Sequence, residues 1–210
     1  MSKETLYTGL VEDIRWREAE LSSLRTIPYR YNLSDNHKTI LLKYSIPAIY
    51  SLWEGFVRQA FLLYIKELND LSLKCNEIHK NILAHSLTMQ DRLCLAKARN
   101  SFKSQCDFID YFQEVICHPI KIPTSLPTRS NVNYEVITEL LSRFHLKSLP
   151  IEYEKPLNKL LFFRNSFAHG DNSIPVNTNT ISEFARLILN LMYDIIIIIC
   201  DGFKNGDYKI

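Results

Sequence analysis

The segment Arg164-Asn165-Ser166-Phe167-Ala168-His169-Gly170 puts a permanent cation, an amide and a side chain that titrates near neutral pH within one and a half helical turns. A rise of about 1.5 Å per residue keeps the three within reach of one another on a helix. Arginine offers a planar fork of donors suited to phosphate, and histidine gives or takes a proton near neutrality. A cation to hold a phosphodiester and a group to move its protons are the parts that RNA cleavage needs. Asn165 and His169 are four apart and share a helical face. Arg164 stands about 140° around the helix from His169, a gap its long stem can close. The same residues have a plainer use, because arginine and histidine near a helix C-terminus also satisfy the last carbonyls and complement the macrodipole.

Arginine and histidine meet at this spacing by chance as well. Eleven arginines, six histidines and three permitted separations over 210 positions yield about one such pair. The chain holds two, the other being Arg30 with His37. That pair brackets Tyr31-Asn32-Leu33-Ser34-Asp35-Asn36, a polar segment after Pro28 without helical periodicity, and reads as a coincidence. The 164–169 pair instead follows an apolar-periodic stretch and is closed by glycine, as helix ends commonly are.

The elements that must hold this motif read as helices. Residues 4 to 25 carry Leu6, Leu10, Ile14, Leu21 and Leu24 at helical spacing, with a stop expected before Ile27-Pro28. Residues 38 to 68 form the longest apolar element, with a kink or a fresh start expected at Pro47. Within it Glu54 and Arg58 are spaced to pair on the surface. A short helix over 76 to 87 precedes a longer one over 89 to 116, on which Arg92, Arg99 and Lys103 fall on one face. That stripe is either a track for an RNA backbone or a solvated face, the commoner use of such spacing.

Residues 117 to 132 hold three prolines and read as a long loop, of the kind that covers a groove or meets a partner. Asn131 or Asn133 caps a helix carrying Val136, Ile137, Leu140, Leu141 and Phe144, which Pro150 is expected to break. The next helix, from about 152, runs through Leu157, Leu160, Leu161 and Phe163 into the motif. Thr180 and Glu183 then read as a capping box for a last helix that continues to about Cys200. The sum is an all-α bundle. Residues 1–35 form an N-terminal helix and connector packed on a domain spanning 36–210.

Composition removes several alternatives. A net charge of +2 and a pI near 8.2 neither demand nor exclude nucleic acid: a protein coating long stretches of phosphate is usually more basic, and a nuclease contacting a few need not be. Five cysteines with no C-x-x-C pair and no leader segment point to reduced thiols in the cytoplasm, each packed as a small hydrophobe. Cys117 beside His118 is a poor catalytic pair, because sequence neighbours rarely orient toward each other. The isoleucine run from 195 to 199 is far too short for a membrane span. No H-E-x-x-H or carboxylate–histidine constellation appears, so neither metal nor other cofactor is expected.

The motif and its surroundings resemble the HEPN superfamily, helical domains with an R-x(4–6)-H motif. A polar residue follows the arginine, here Asn165, and the motif ends small-His-Gly, here Ala168-His169-Gly170. The stretch from Ile46 to Val57 resembles the first core helix of one bacterial group, and Ser130 to Val136 resembles the turn and helix before the motif helix. The likeness runs from about residue 38 to 200, and the first 35 residues match less distinctly. It implies a metal-independent endoribonuclease, often a toxin or antiphage effector, that works as a homodimer on RNA under an antitoxin or companion protein. It assigns catalysis to Arg164 and His169, an orienting or polarising role to Asn165, and to Glu54 a buried polar contact with the site. The competing reading is a non-catalytic module of the same shape that binds nucleotide, RNA or a protein.

Overall fold

The computed structural model describes residues 3–88, 101–127, 131–171 and 173–210. Among them seven α-helices follow one another: α1 (Lys3–Arg30), α2 (Asp35–Asp70), α3 (Lys80–Thr88), α4 (Phe102–Cys117), α5 (Tyr134–Arg143), α6 (Glu154–Ala168) and α7 (Thr178–Asn205). The all-α expectation holds. The first part of the helix expected over 89–116, up to residue 100, lies outside the described residues, and the expected helix does not run unbroken through the rest: Ser101 is extended and caps α4, its Oγ accepting from the Ser104 N–H at 3.2 Å. None of the described helices is long and apolar enough to cross a membrane.

Three long helices make the frame, with α1, α2 and α7 packed against one another and α6 laid against α2. The centre of α2 is apolar nearly all round, with Ile46, Ile49, Tyr50, Trp53, Phe56, Val57, Ala60 and Phe61 buried, as suits a helix with neighbours on several sides. One polar lock joins α1 to it. Arg17 pairs with Asp13 at 2.9 and 3.1 Å and donates from Nη1 to the Leu52 carbonyl at 3.0 Å. A Cβ at residue 55 would come within 2.9 Å of that Nη1, so Gly55 is what lets the guanidinium reach the α2 backbone.

Both prolines sit inside helices; for Pro28 this overturns the expected stop, and for Pro47 it removes the fresh start. Pro28 lies in the last turn of α1, which runs on to Arg30, and α2 continues through Pro47 without a fresh start. Each proline withholds the hydrogen bond its missing N–H would have made and crowds the carbonyl four residues before it, a cost of about 3 kcal/mol in a helix interior. Packing on both flanks outweighs that loss.

Other ends move too. Ser34 caps α2, so the Arg30–His37 pair straddles a helix junction. The α5 helix stops well before Pro150. His145, at φ 53°, reverses the chain while its N–H and that of Leu146 close onto the Ser142 and Leu141 carbonyls at 3.0 and 2.9 Å. The left-handed conformation is held by tertiary contacts. The His145 ring stacks on His79 at 3.5 Å, and its Nδ1 donates to the Asp207 carbonyl at 2.8 Å.

Asn177 caps α7 in place of the Thr180–Glu183 box; its Oδ1 accepts from the Thr180 N–H at 2.9 Å. The helix passes Cys200 to end at Gly206, φ 77°. Cys106 and Cys117 are exposed, so they are not the buried hydrophobes expected; Cys75 and Cys200 are half-buried. The His118 ring engages the Glu114 carbonyl at 2.9 Å.

The described part of the connection after α4 is tied down in several places, beginning with the Ile120 N–H on the Leu73 carbonyl at 2.7 Å. Asn69 accepts from the Ile122 N–H and donates to its carbonyl, at 2.8 and 3.0 Å. Farther on, Val132 is gripped from α2. Its N–H donates to the Tyr50 hydroxyl at 2.7 Å, and its carbonyl accepts from Trp53 Nε1 at 2.9 Å. Asn133 then caps α5 through the Val136 N–H at 2.9 Å. Tyr134 and Tyr153 donate to the Leu149 carbonyl and to Asp194, fixing the short turn from which α6 starts.

Two measurements test this frame. Trp53→Phe strands the buried Val132 carbonyl and is expected to lower unfolding free energy by about 1–3 kcal/mol in urea titrations. Tyr29→Ala, at an exposed side chain, should change it by less than about 0.5 kcal/mol. The second test uses pH. His85 is 1% exposed with its ring 5.0 Å from that of Phe144. Burial, helped by Arg143, pushes its imidazole down to about 4. The unfolded chain takes up that proton near pH 6.5, so this contribution is full above 6.5 and is lost as pH falls toward 4. Between pH 7.5 and 5, His85→Leu should gain about 2 kcal/mol relative to wild type in urea unfolding.

Candidate active site

Arg164 leaves α6 toward α2 and makes three contacts, two with α2 and one with its own neighbour. Its guanidinium carbon stands 4.5 Å from the centre of the Tyr50 ring. Its Nη1 donates to Asn165 Oδ1 at 2.8 Å, and Nη2 lies 3.7 Å from Glu54 Oε2. The separation from Glu54 is longer than a charge-assisted hydrogen bond. Both side chains are also partly exposed, at 25% and 40%, so the pair orients the guanidinium and adds little stability. Glu54 is thus in contact with the site but half-exposed, not the buried group expected. It turns to Arg164 across the helix pair rather than to Arg58 along α2, the partner its spacing suggests.

Tyr50 is the shelf beneath this cation. It is 1% exposed, and burial pushes its hydroxyl up to about 12, with Glu54 adding to the shift and Val132 and Arg164 opposing it. It therefore stays neutral and serves by its π face. In the sequence Tyr50 falls among the apolar core positions, which hides this role. A signal is nonetheless present, since Lys43, Tyr50 and Glu54 stand seven and four apart on one face of α2.

His169 is set by the way α6 stops. Its own N–H bonds to the Asn165 carbonyl at 3.1 Å, Gly170 N–H to Phe167 at 3.1 Å, and Asp171 N–H to Ser166 at 2.9 Å. With Gly170 at φ 82° this is a Schellman ending, which fixes the backbone of His169 and leaves its side chain exposed. Among the described residues no partner holds its ring. Phe167 turns inward, 3% exposed, and the Lys43 Nζ lies 5.4 Å from its ring centre. Asp171 follows, its carboxyl held below the usual range by the Ser173 N–H and hydroxyl, with Lys43 adding to the effect.

Arg164, Asn165 and Glu54 are therefore brought into one cluster, with His169 at the open end of the same helix. Lys103 stands exposed on α4, while Arg92 and Arg99 lie outside the described residues. Among the described residues no three His, Cys, Asp or Glu side chains are grouped as a metal ion would require.

The all-α bundle is consistent with a HEPN-like fold. A family model, HEPN_MAE_28990-like HEPN, matches residues 6–208, and the chain belongs to that family. The match includes most of α1 as well as the helices after it. No curated protein and no solved structure matches the chain.

The Schellman ending predicts its own mutant. Gly170 has open space around it, so a side chain there meets no neighbour and suffers only from the positive φ. Gly170→Ala should cost about 1 kcal/mol, and Gly170→Asn less, in thermal unfolding.

Proposed function

We propose that this HEPN domain is a metal-independent endoribonuclease whose active site is completed by a second copy of the chain. The observation that carries this reading is the Arg164 fork, held over the Tyr50 ring and bonded to Asn165, with an exposed His169 at the end of the same helix. The Arg164 contact to Asn165 engages one Nη1 donor and leaves others of the fork for phosphate oxygens. With its oxygen on Arg164, the Asn165 amide keeps its NH2 as a donor.

A single motif histidine per chain explains the need for a pair. Cleavage by internal attack requires one group to take the proton of the 2′-hydroxyl and another to protonate the leaving 5′-oxygen. A two-fold axis beside the motif supplies both from two copies of His169, and two copies of Arg164 stabilise the added charge on the phosphorus. The 2′-oxygen bonds to phosphorus and the bond to the 5′-oxygen breaks. The products are a 2′,3′-cyclic phosphate and a 5′-hydroxyl end, and DNA, lacking the attacking hydroxyl, resists. A cytoplasmic toxin or antiphage effector, silenced by an antitoxin or companion protein until triggered, is the setting such chemistry suits.

The test is digestion of mixed RNA by purified protein with EDTA present. Wild type should leave cyclic-phosphate ends. His169→Ala should slow cleavage by about 10²–10⁴-fold, and Arg164→Lys should fail to restore it because an ammonium lacks the fork. Equal, Arg164-dependent cutting of matched DNA would overturn the mechanism. RNA binding without product, unchanged in His169→Ala, would instead identify a non-catalytic module.

A further inference from the structure

Beside the motif lies a recess that the reaction chemistry does not use. It sits between the first turns of α2 and the segment that follows His169, and its volume is about 720 Å³. Asn36, Thr39, Lys43 and Ser173 give it polar walls, and Tyr44 and Pro175 an apolar one. That volume falls within the range of sites that take small ligands or single chemical groups of larger ones. Tyr44 is 60% exposed, so its ring is open to a ligand from solvent.

Lys43 joins this recess to the motif. Its Nζ lies 5.7 Å from the Tyr44 ring centre on one side and 5.4 Å from that of Phe167 on the other. Phe167 stands two residues before His169. The nearby carboxylate of Asp171 accepts from the Ser173 N–H and hydroxyl at 2.8 and 2.7 Å and also feels the charge of Lys43. Seven residues farther along α2, or about 10 Å of helix, Tyr50 carries the Arg164 guanidinium. Two cations are thus strung along one face of α2, and an open aromatic ring lies past the outer one.

We propose that the recess is a subsite for single-stranded RNA, taking a nucleotide that flanks the scissile phosphate. Tyr44 is the platform on which its base stacks, and Lys43 contacts its phosphate. An aromatic face with a neighbouring cation is how proteins hold unpaired nucleotides without reading a duplex groove. Asn36 and Thr39 line the recess and offer polar groups to a base edge, Thr39 as an acceptor because its hydroxyl already donates to the Asp35 carbonyl at 2.8 Å. This proposal rests on the nuclease reading and adds to it a determinant of where the strand lies.

The experiment measures binding of a short fluorescein-labelled single-stranded RNA by anisotropy, in a His169→Ala background that leaves the strand intact. Tyr44→Ala should weaken binding about tenfold, and Tyr44→Phe, which keeps the stacking face, should stay within about twofold of the parent. Lys43→Ala should lower the slope of log affinity against log salt by about one. Tyr44 is exposed, so its removal leaves no buried cavity to unfold the chain. If Tyr44→Ala binds like the parent while wild type still cuts RNA through Arg164, the subsite is refuted and the nuclease stands. If the His169→Ala parent binds no RNA, both fail together.

Discussion

Tyr50 joins two halves of the structure through opposite ends of one side chain. Its hydroxyl accepts the Val132 N–H and so holds the segment that starts α5, while its ring face carries the Arg164 guanidinium of α6. A tyrosine suits this place because its body is apolar and its tip polar, so it can be buried without a stranded hydroxyl. A desolvated aromatic face strengthens the attraction to a cation, which would be screened in water. The position of the arginine thus depends on a contact made some thirty residues earlier in the chain, at Val132.

That dependence explains why α2 is long, apolar and uninterrupted. It must reach α1 through Arg17 at the Leu52 carbonyl, Val132 through Tyr50 and Trp53, and α6 through Tyr50 and Glu54. These contacts fall within the few residues from Tyr50 to Glu54. A break at Pro47 would have released the outer part of the helix, with Lys43 and Tyr44, from the part that holds Arg164. What the proline costs is small beside the burial on either side.

The two motif ends are treated differently. Arg164 is half-buried and oriented by neighbours, whereas His169 is fixed only through its backbone by the helix ending. A cation gains from a fixed plane, since bidentate recognition of phosphate is geometric. In the proposed mechanism His169 moves protons and so has to face the RNA, which the proposed dimer places toward a second chain.

Local chemistry is readable from the residues alone. The helix stripes, the glycine that closes α6, the asparagine cap of α5 and the R-x4-H motif each depend on neighbours within one or two turns. The all-α class and the candidate cluster of Arg164, Asn165 and Glu54 are therefore legible in the sequence, the last by likeness to known sequences. Contacts across the chain are not. Pro28 and Pro47 act as breakers only when nothing flanks them, and His145 ends α5 because His79 and Asp207 hold it there. Tyr50 reads as core because the sequence shows its apolar spacing but not what lies above its ring. Periodicity fixes which face of a helix is apolar; only tertiary packing decides which polar groups are brought against that face, because those contacts join residues far apart in the chain.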